Sequence, residues 1–204
     1  MNKIIEEFPQ TFNESEARLK YMPPEVKNTD SMNIILLQEL NRYNKLIRII
    51  TRSLQSIVDA LNGLIVFSFE LEDALNFIKL NKVPETWMKH SYPSLKPLPS
   101  YIDNLKQRIN FWGKWVEDGC PPVFWIGGFF FPQGFLTGVR QNYARKHRIP
   151  IDHLVYDFES LPENFDKTQP AEDGAQVDGF YLEGAKFDYS RMSLAESDPK
   201  VKAH

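Results

Sequence analysis

The side chains best suited to chemistry in this 204-residue chain are four histidines, one cysteine and a short acidic run. His90, His147, His153 and His204 form no His-x-x-x-His pair, and Cys120 has no second cysteine to make Cys-x-x-Cys. The spacings that hold zinc are therefore missing. His147 and His153 can approach each other across a turn at Pro150, but no cysteine or paired carboxylate stands nearby to complete a metal's ligand set. Cys120 lies in Gly119-Cys-Pro-Pro122, after a helix rather than at a helix N-terminus, where a thiolate would be stabilised. Glu70, Glu72 and Asp73 cluster on a predicted helix, where a solvated or ion-paired face explains them better than acid–base work. Gly127-Gly128 is followed by phenylalanines and Gly134 by Phe135. Neither turn offers the lysine that must reach a nucleotide's phosphates, and Gly-x-Gly-x-x-Gly is absent. The expectation is a protein with no catalytic, cofactor-binding or metal-binding residues and no cofactor, not an enzyme by itself.

Composition narrows the class further. A hydrophobic share of 42% and an aromatic share of 13% are those of a globular protein of one or two domains. A net charge of -3 leaves no basic footprint for nucleic acid. Arg140 to Arg148 is basic and Asp157 to Asp178 mostly acidic, which reads as two solvated faces. No apolar run approaches the ~20 residues of a membrane span, and Met1-Asn-Lys-Ile-Ile-Glu-Glu7 lacks a signal-peptide pattern. Neither nucleic acid nor membrane is an expected partner. With Cys120 alone no internal disulfide can form, which points to a reducing compartment.

The elements that position these residues follow from periodicity. The first ~30 residues read as a linker ending at Met22-Pro-Pro24, with one short helix after Asn13, a plausible N-cap. From Asp30 or Ser31, Leu36, Leu40, Tyr43, Ile47, Ile50, Leu54, Ile57 and Leu61 recur in steps of four and three. That is one stripe on a helix about 45 Å long, with Gly63 placed to close it. The stripe suits a coiled-coil seam, but Ile34, Ile35, Ile49 and Val58 widen it, favouring several neighbours. Leu64 to Leu80 reads as a second, antiparallel helix. The proline-rich loop Asn81 to Pro99 reads as an ordered strap pinned by Trp87, Tyr92 and Leu95, and Tyr101 to Asp118 as a third helix. Downstream, Leu154 to Phe158 alternates partly, 161–175 reads as a mobile loop, and Val177 to Phe187 has the character of an exposed antiparallel pair.

The most informative stretch runs from Val123 to Lys146. On its residues it is a buried strand stopped by Gly127-Gly128, three phenylalanines, and a Pro132-started helix with Phe135, Val139 and Tyr143 on one face. At least two of Phe129, Phe130 and Phe131, together with Trp125, are expected to be buried. Gly-Phe-Phe-Phe-Pro-Gln-Gly-Phe-Leu-Thr-Gly138 and Gln141-Asn-Tyr-Ala-Arg-Lys146 resemble the C-terminal region of dynein heavy chains, the axonemal inner-arm type above all. Leu37 to Leu46, Asn62-Gly-Leu64, Val83 to Trp87, Ser91 to Leu98, Ile149 to Asp152 and Leu182 to Lys186 resemble further blocks of that family in the same order. The departures are small: Gly127 stands where many relatives have serine, and Arg140 where many have an apolar residue.

The resemblance implies an α+β fold: a helical bundle ending the last AAA+ module, followed by the start of an incomplete antiparallel β-barrel. The corresponding domains are a linker over 1–30, a helical region over 31–118 and a partial C-terminal α+β domain over 119–204. The chain stops at Ser197 to His204, where the family normally continues for several strands, so unpaired sheet edges are expected. The implied role is that of a non-catalytic part of a microtubule motor of cilia and flagella, bracing the ring and modulating its output. The implied partners are the rest of the motor ring and other dynein subunits, with the microtubule reached only indirectly. The implied place is the cytoplasm and cytoskeleton, in the axoneme. A free-standing helical interaction module, using the long stripe as a partner surface, is the alternative.

Overall fold

The apolar positions spaced by four and three form one helix, and the other elements are arranged around it. The computed structural model describes residues 8–25, 30–159, 161 and 165–179, and the backbone of 185–188 and 193–196. Its helices are α1 (Glu14–Tyr21), α2 (Ser31–Leu61), α3 (Phe69–Lys79), α4 (Glu85–Met88), α5 (Leu98–Asp118) and α6 (Pro132–His147). The strands are β1 (Val123–Trp125), β2 (Gln176–Asp178), β3 (Ala185–Asp188) and β4 (Ser193–Glu196), with 3₁₀ turns at Ile126–Gly128 and Ile151–His153.

Asp30 starts α2 by accepting the Met32 N–H at 2.8 Å. Gly63, at φ +74°, lies just past its end. Leu36, Leu40, Tyr43, Ile47, Ile50, Leu54 and Ile57 are buried, so the stripe is consumed inside the protein up to Ile57, while its last member, Leu61, is 55% exposed. Tyr101, Leu105, Trp112 and Trp115 of α5, Phe124 of β1, and Phe135 of α6 join the same core. Phe8 and Ala17 also belong to it. Asn13 caps α1 as expected, and Asn44 holds the approach to it by accepting the Phe12 N–H at 2.7 Å and donating to the Phe12 carbonyl at 3.0 Å.

Two helical expectations and one strap expectation shift. The second helix begins at Phe69 rather than Leu64, because Ser68 caps it through the Leu71 N–H at 3.3 Å and the β-branched run before it favours extended backbone. The third begins at Leu98, with Pro99 inside its first turn, where a missing N–H costs nothing. In the strap, Trp87 and Tyr92 are buried, but Leu95 is fully exposed and pins nothing. A local turn, with the Lys96 N–H on Ser94 Oγ at 3.2 Å, directs it to solvent between Pro93 and Pro97.

The antiparallel barrel is not found; the described strands form two small sheets. β1 pairs with β2 in parallel, Phe124 opposite Val177, and β3 pairs with β4 antiparallel, Phe187 opposite Leu194. The reason is topological. A strand leading into a helix returns to its sheet in the same direction, and α6 lies between β1 and β2. Leu154 to Phe158 forms no strand, and the link between Val177 and Phe187 lies outside the described residues at 180–184. In 165–175, Asp173 accepts from Lys146 Nζ at 2.7 Å and contacts His147 Nε2 at 2.9 Å, so this part of the loop is tied to α6.

These positions separate two strap residues. Trp87→Ala should cost about 3–5 kcal/mol, the range for emptying a large core site. Leu95→Ala should stay within ~0.5 kcal/mol. Chemical denaturation of both variants checks the pair.

Candidate functional site

Pro132 supplies no N–H and Phe131, at the N-cap position of α6, provides no side-chain cap. The amides just before this helix therefore need an acceptor from elsewhere. Glu39 of α2 provides it. Its carboxylate accepts the Phe130 N–H at 2.7 Å and the Phe131 N–H at 3.1 Å, and its residue is 1% exposed. Arg42, one turn along α2, donates to the same carboxylate at 3.1 Å and lies over the Phe131 ring. Beside it, Tyr43 donates its hydroxyl to the Gly128 carbonyl at 2.6 Å, and Trp112 Nε1 donates to that carbonyl at 3.2 Å. Arg108 of α5 completes the ring of contacts. It donates to Asn104 at 2.9 Å, approaches the Tyr43 hydroxyl at 3.4 Å and stacks on Tyr92 at 3.6 Å.

The glycines fit this crowding. A Cβ on Gly128 would sit 3.0 Å from the Trp125 ring and 3.4 Å from that of Phe111. On Gly138 it would overlap the tips of the Ile35 and Met32 side chains, so α6 crosses α2 closely there. The Gln-Asn-Tyr-Ala-Arg run acts beside that crossing. Asn142 accepts the Ser31 N–H at 3.1 Å and donates to Asp30 at 2.6 Å. Gln141 accepts from the Ser31 hydroxyl at 2.8 Å, and Arg145 donates to that hydroxyl at 2.6 Å. The motif clamps the start of the long helix.

Burial within the aromatic turn differs from expectation. Phe129 is 3% exposed, Phe130 and Trp125 are half-buried, and Phe131 is 49% exposed. Phe129 and Phe131 do not share a buried side, because the 3₁₀ turn before them and the helix after them leave no extended run. Phe129 lies 4.9 Å from both Trp112 and Phe135, ring centre to ring centre, and Phe130 meets Tyr43 edge-on at 4.6 Å. On the outer side of α6, Leu136, Val139, Arg140 and Tyr143 border a cavity of about 360 Å³ closed by Tyr156 and Phe158. Arg140 also donates to the Ile151 carbonyl at 2.7 Å.

The residues weighed for chemistry lie apart. His147 faces Asp173, Cys120 is exposed beyond α5, Glu70, Glu72 and Asp73 lie on α3, and His204 is outside the described residues. Glu39, Asn44 and Arg108 did not emerge from the sequence as site residues. The available signal was a glutamate and an asparagine at positions that helical spacing turns toward the core.

The arrangement is that of a helical packing domain whose inner polar groups hold backbone amides and carbonyls in place. The protein belongs to the family of the C-terminal domain of dynein heavy chains, whose model matches residues 1–204. It is 45% identical over 198 residues to dynein axonemal heavy chain 3 of Mus musculus, a match covering 97% of this chain and 5% of that protein. It is 47% identical to dynein axonemal heavy chain 12 of Mus musculus, covering 97% and 6%. With dynein axonemal heavy chain 1 of Mus musculus the identity is 49% over 172 residues, covering 84% and 4%. The chain spans about one-twentieth of the relatives' length. No described helix is long and apolar enough to cross a membrane.

Glu39 gives a pH signature. Burial raises its carboxyl above the ordinary 4.5, and the Phe130 amide, Arg42 and the Phe131 amide pull it partly back. A raised native value means the folded state binds the proton more tightly, so this contribution is present below the unfolded value and lost as pH rises through the native one. Glu39→Gln sets an amide NH₂ against one of the two N–H donors and should cost about 1–3 kcal/mol. Denaturation across pH should show the stability difference between wild type and variant growing as pH falls through the window above 4.5. In the aromatic turn, Phe129→Ala should cost about 3–5 kcal/mol and Phe131→Ala less than ~1 kcal/mol by the same measurement.

Proposed function

We propose that the protein works as the non-catalytic C-terminal part of an axonemal dynein heavy chain, bracing the AAA+ ring of a microtubule motor and modulating its output. The observation that carries this reading is the family match along the whole chain to axonemal heavy chains. The geometry is consistent with it: the inner polar groups hold one rigid helix start against another helix, as suits an element that transmits force. In that motor, residues 1–30, 31–118 and 119–204 would be a linker, the helical end of the last module and the C-terminal segment. The partners would be the rest of the ring and other dynein subunits, with the microtubule engaged elsewhere in the heavy chain. The place would be the axoneme of a cilium or flagellum. The free-standing alternative drew on the α2 stripe as a partner surface, and that stripe is buried from Leu36 to Ile57.

Two measurements test this reading. The purified protein should show no saturable, magnesium-dependent ATP binding, because Gly127-Gly128 and Gly134 lack the following Lys-Ser or Lys-Thr; such binding would defeat the proposal. Substituted for the matching segment of an axonemal heavy chain, the protein should support ATP-driven microtubule gliding. The same chimaera carrying Glu39→Ala should glide more slowly while still binding ATP. Gliding unaffected by deletion of the whole segment would remove the bracing role.

A further inference from the structure

A helix of eight residues is too short to keep its shape alone in water, so α1 must be held by what it touches. Apolar burial contributes little. Over residues 8–21 only Phe8 and Ala17 are buried, the Phe12 ring lies beside Gly113 of α5, and Leu19 is 67% exposed. Polar contacts hold the segment at three places. Near its start, the Asn44 side chain of α2 binds the Phe12 N–H and carbonyl and donates to Glu14 at 2.7 Å, and Arg48 donates to the same carboxylate at 3.2 Å. At its end, Asn33 donates to the Tyr21 carbonyl at 3.0 Å. The third place is the end of α5. The last four carbonyls of a helix have no partner within it, and two side chains of α1 meet three of them. Lys20 Nζ donates to the Val116 and Glu117 carbonyls at 2.6 and 2.9 Å, where its charge also suits the negative end of the helix dipole. The Tyr21 hydroxyl donates to the Trp115 carbonyl at 2.5 Å. Trp115 in turn stacks on Trp112, 5.1 Å from ring centre to ring centre, and Trp112 holds the Gly128 carbonyl.

We propose that residues 8–21 are a releasable clasp, which undocks as a unit while α2 and the aromatic core stay folded, and whose release loosens the last turn of α5. A short helix with two buried side chains and mostly exposed polar contacts opens at a lower free energy than the core it covers. Because the residues that end α1 also cap α5, opening one frees the other. A pull or a binding event on the chain ahead of Phe8 would then reach Trp115, and through it the aromatic turn. The clasp is a property of this chain's own packing and does not rest on its place in a motor.

Hydrogen exchange of the full 204-residue chain in low urea tests the clasp. Amides 17–21 are expected to open together, about tenfold or more faster than amides 40–57 of α2. Asn44→Ala removes three hydrogen bonds to the clasp and none to α5. It should speed exchange about tenfold at 17–21 and, in parallel, at 115–118, with 104–110 unchanged. Lys20→Met combined with Tyr21→Phe removes the donors to α5 and should speed 115–118 by a similar factor. Circular dichroism checks that both variants keep their helices, and the wild-type comparison decides even if a variant does not fold. Exchange of 17–21 at the rate of 40–57 in the wild-type protein would overturn the proposal, because α1 would then belong to one cooperative core. So would an Asn44→Ala variant in which 115–118 keeps its wild-type rate, because clasp and α5 would then be uncoupled.

Discussion

One carboxylate meeting two amides decides how this domain holds together. A carboxylate as buried as that of Glu39 is costly unless paired, and the N–H groups at the start of a proline-led helix are costly unless capped. Here each deficit answers the other. Phe130 and Phe131 donate to Glu39 across 91 and 92 residues of sequence, so the start of α6 is locked to the third turn of α2. The helix dipole adds to the effect, since the positive end of α6 faces the negative group. Burial holds the Glu39 carboxyl above its ordinary value against the pull of these donors.

The aromatic packing depends on that lock. Phe129 can enter the space between Trp112 and Phe135 only if the preceding turn presents it at a fixed angle. Tyr43 and Trp112 fix the angle by both donating to the Gly128 carbonyl. A carbonyl with both lone pairs engaged, at a residue crowded by the Trp125 and Phe111 rings, leaves the turn little freedom. Burial pushes the Tyr43 hydroxyl well above its usual range, so at any ordinary pH it remains a donor to that carbonyl. Polar groups here act as rigid struts inside an apolar cluster, the role in which a fully satisfied buried network specifies a single arrangement.

How much of this the sequence revealed depended on whether the signal was local. The span of α2 is legible from its stripe and its Asp30 and Gly63 boundaries, because helical periodicity and capping act within a few residues. The family resemblance is legible from ordered blocks, and the match along the whole chain agrees with it. The start of α3 is displaced because an apolar run reads as helix although Ser68, a strong N-cap, lies inside it. Leu95 departs from expectation because a hydrophobic residue between prolines was assigned to the core by type alone. The strand pairing differs because partner choice is non-local: nothing in Val123 to Trp125 announces Gln176 to Asp178 across the α6 crossover. Glu39 is invisible as a site for the same reason, since its partners lie 91 and 92 residues away.

That last point bears on what the aromatic motif encodes. Read alone, Gly-Phe-Phe-Phe-Pro suggests a hydrophobic plug, yet only Phe129 of the three phenylalanines is fully buried. The remaining positions act through their backbones: Gly128 gives its carbonyl, and Phe130 and Phe131 give their amides. The Gln-Asn-Tyr-Ala-Arg run then repeats the arrangement at the other end of the same contact, with Asn142 and Arg145 meeting Ser31 where α2 begins. Both blocks of α6 are therefore addressed to α2, one to its third turn and one to its first. Two helices joined at two points about two turns apart cannot pivot on each other without breaking a buried contact. Rigidity of that kind, rather than chemistry at any one side chain, is the property the two blocks jointly produce.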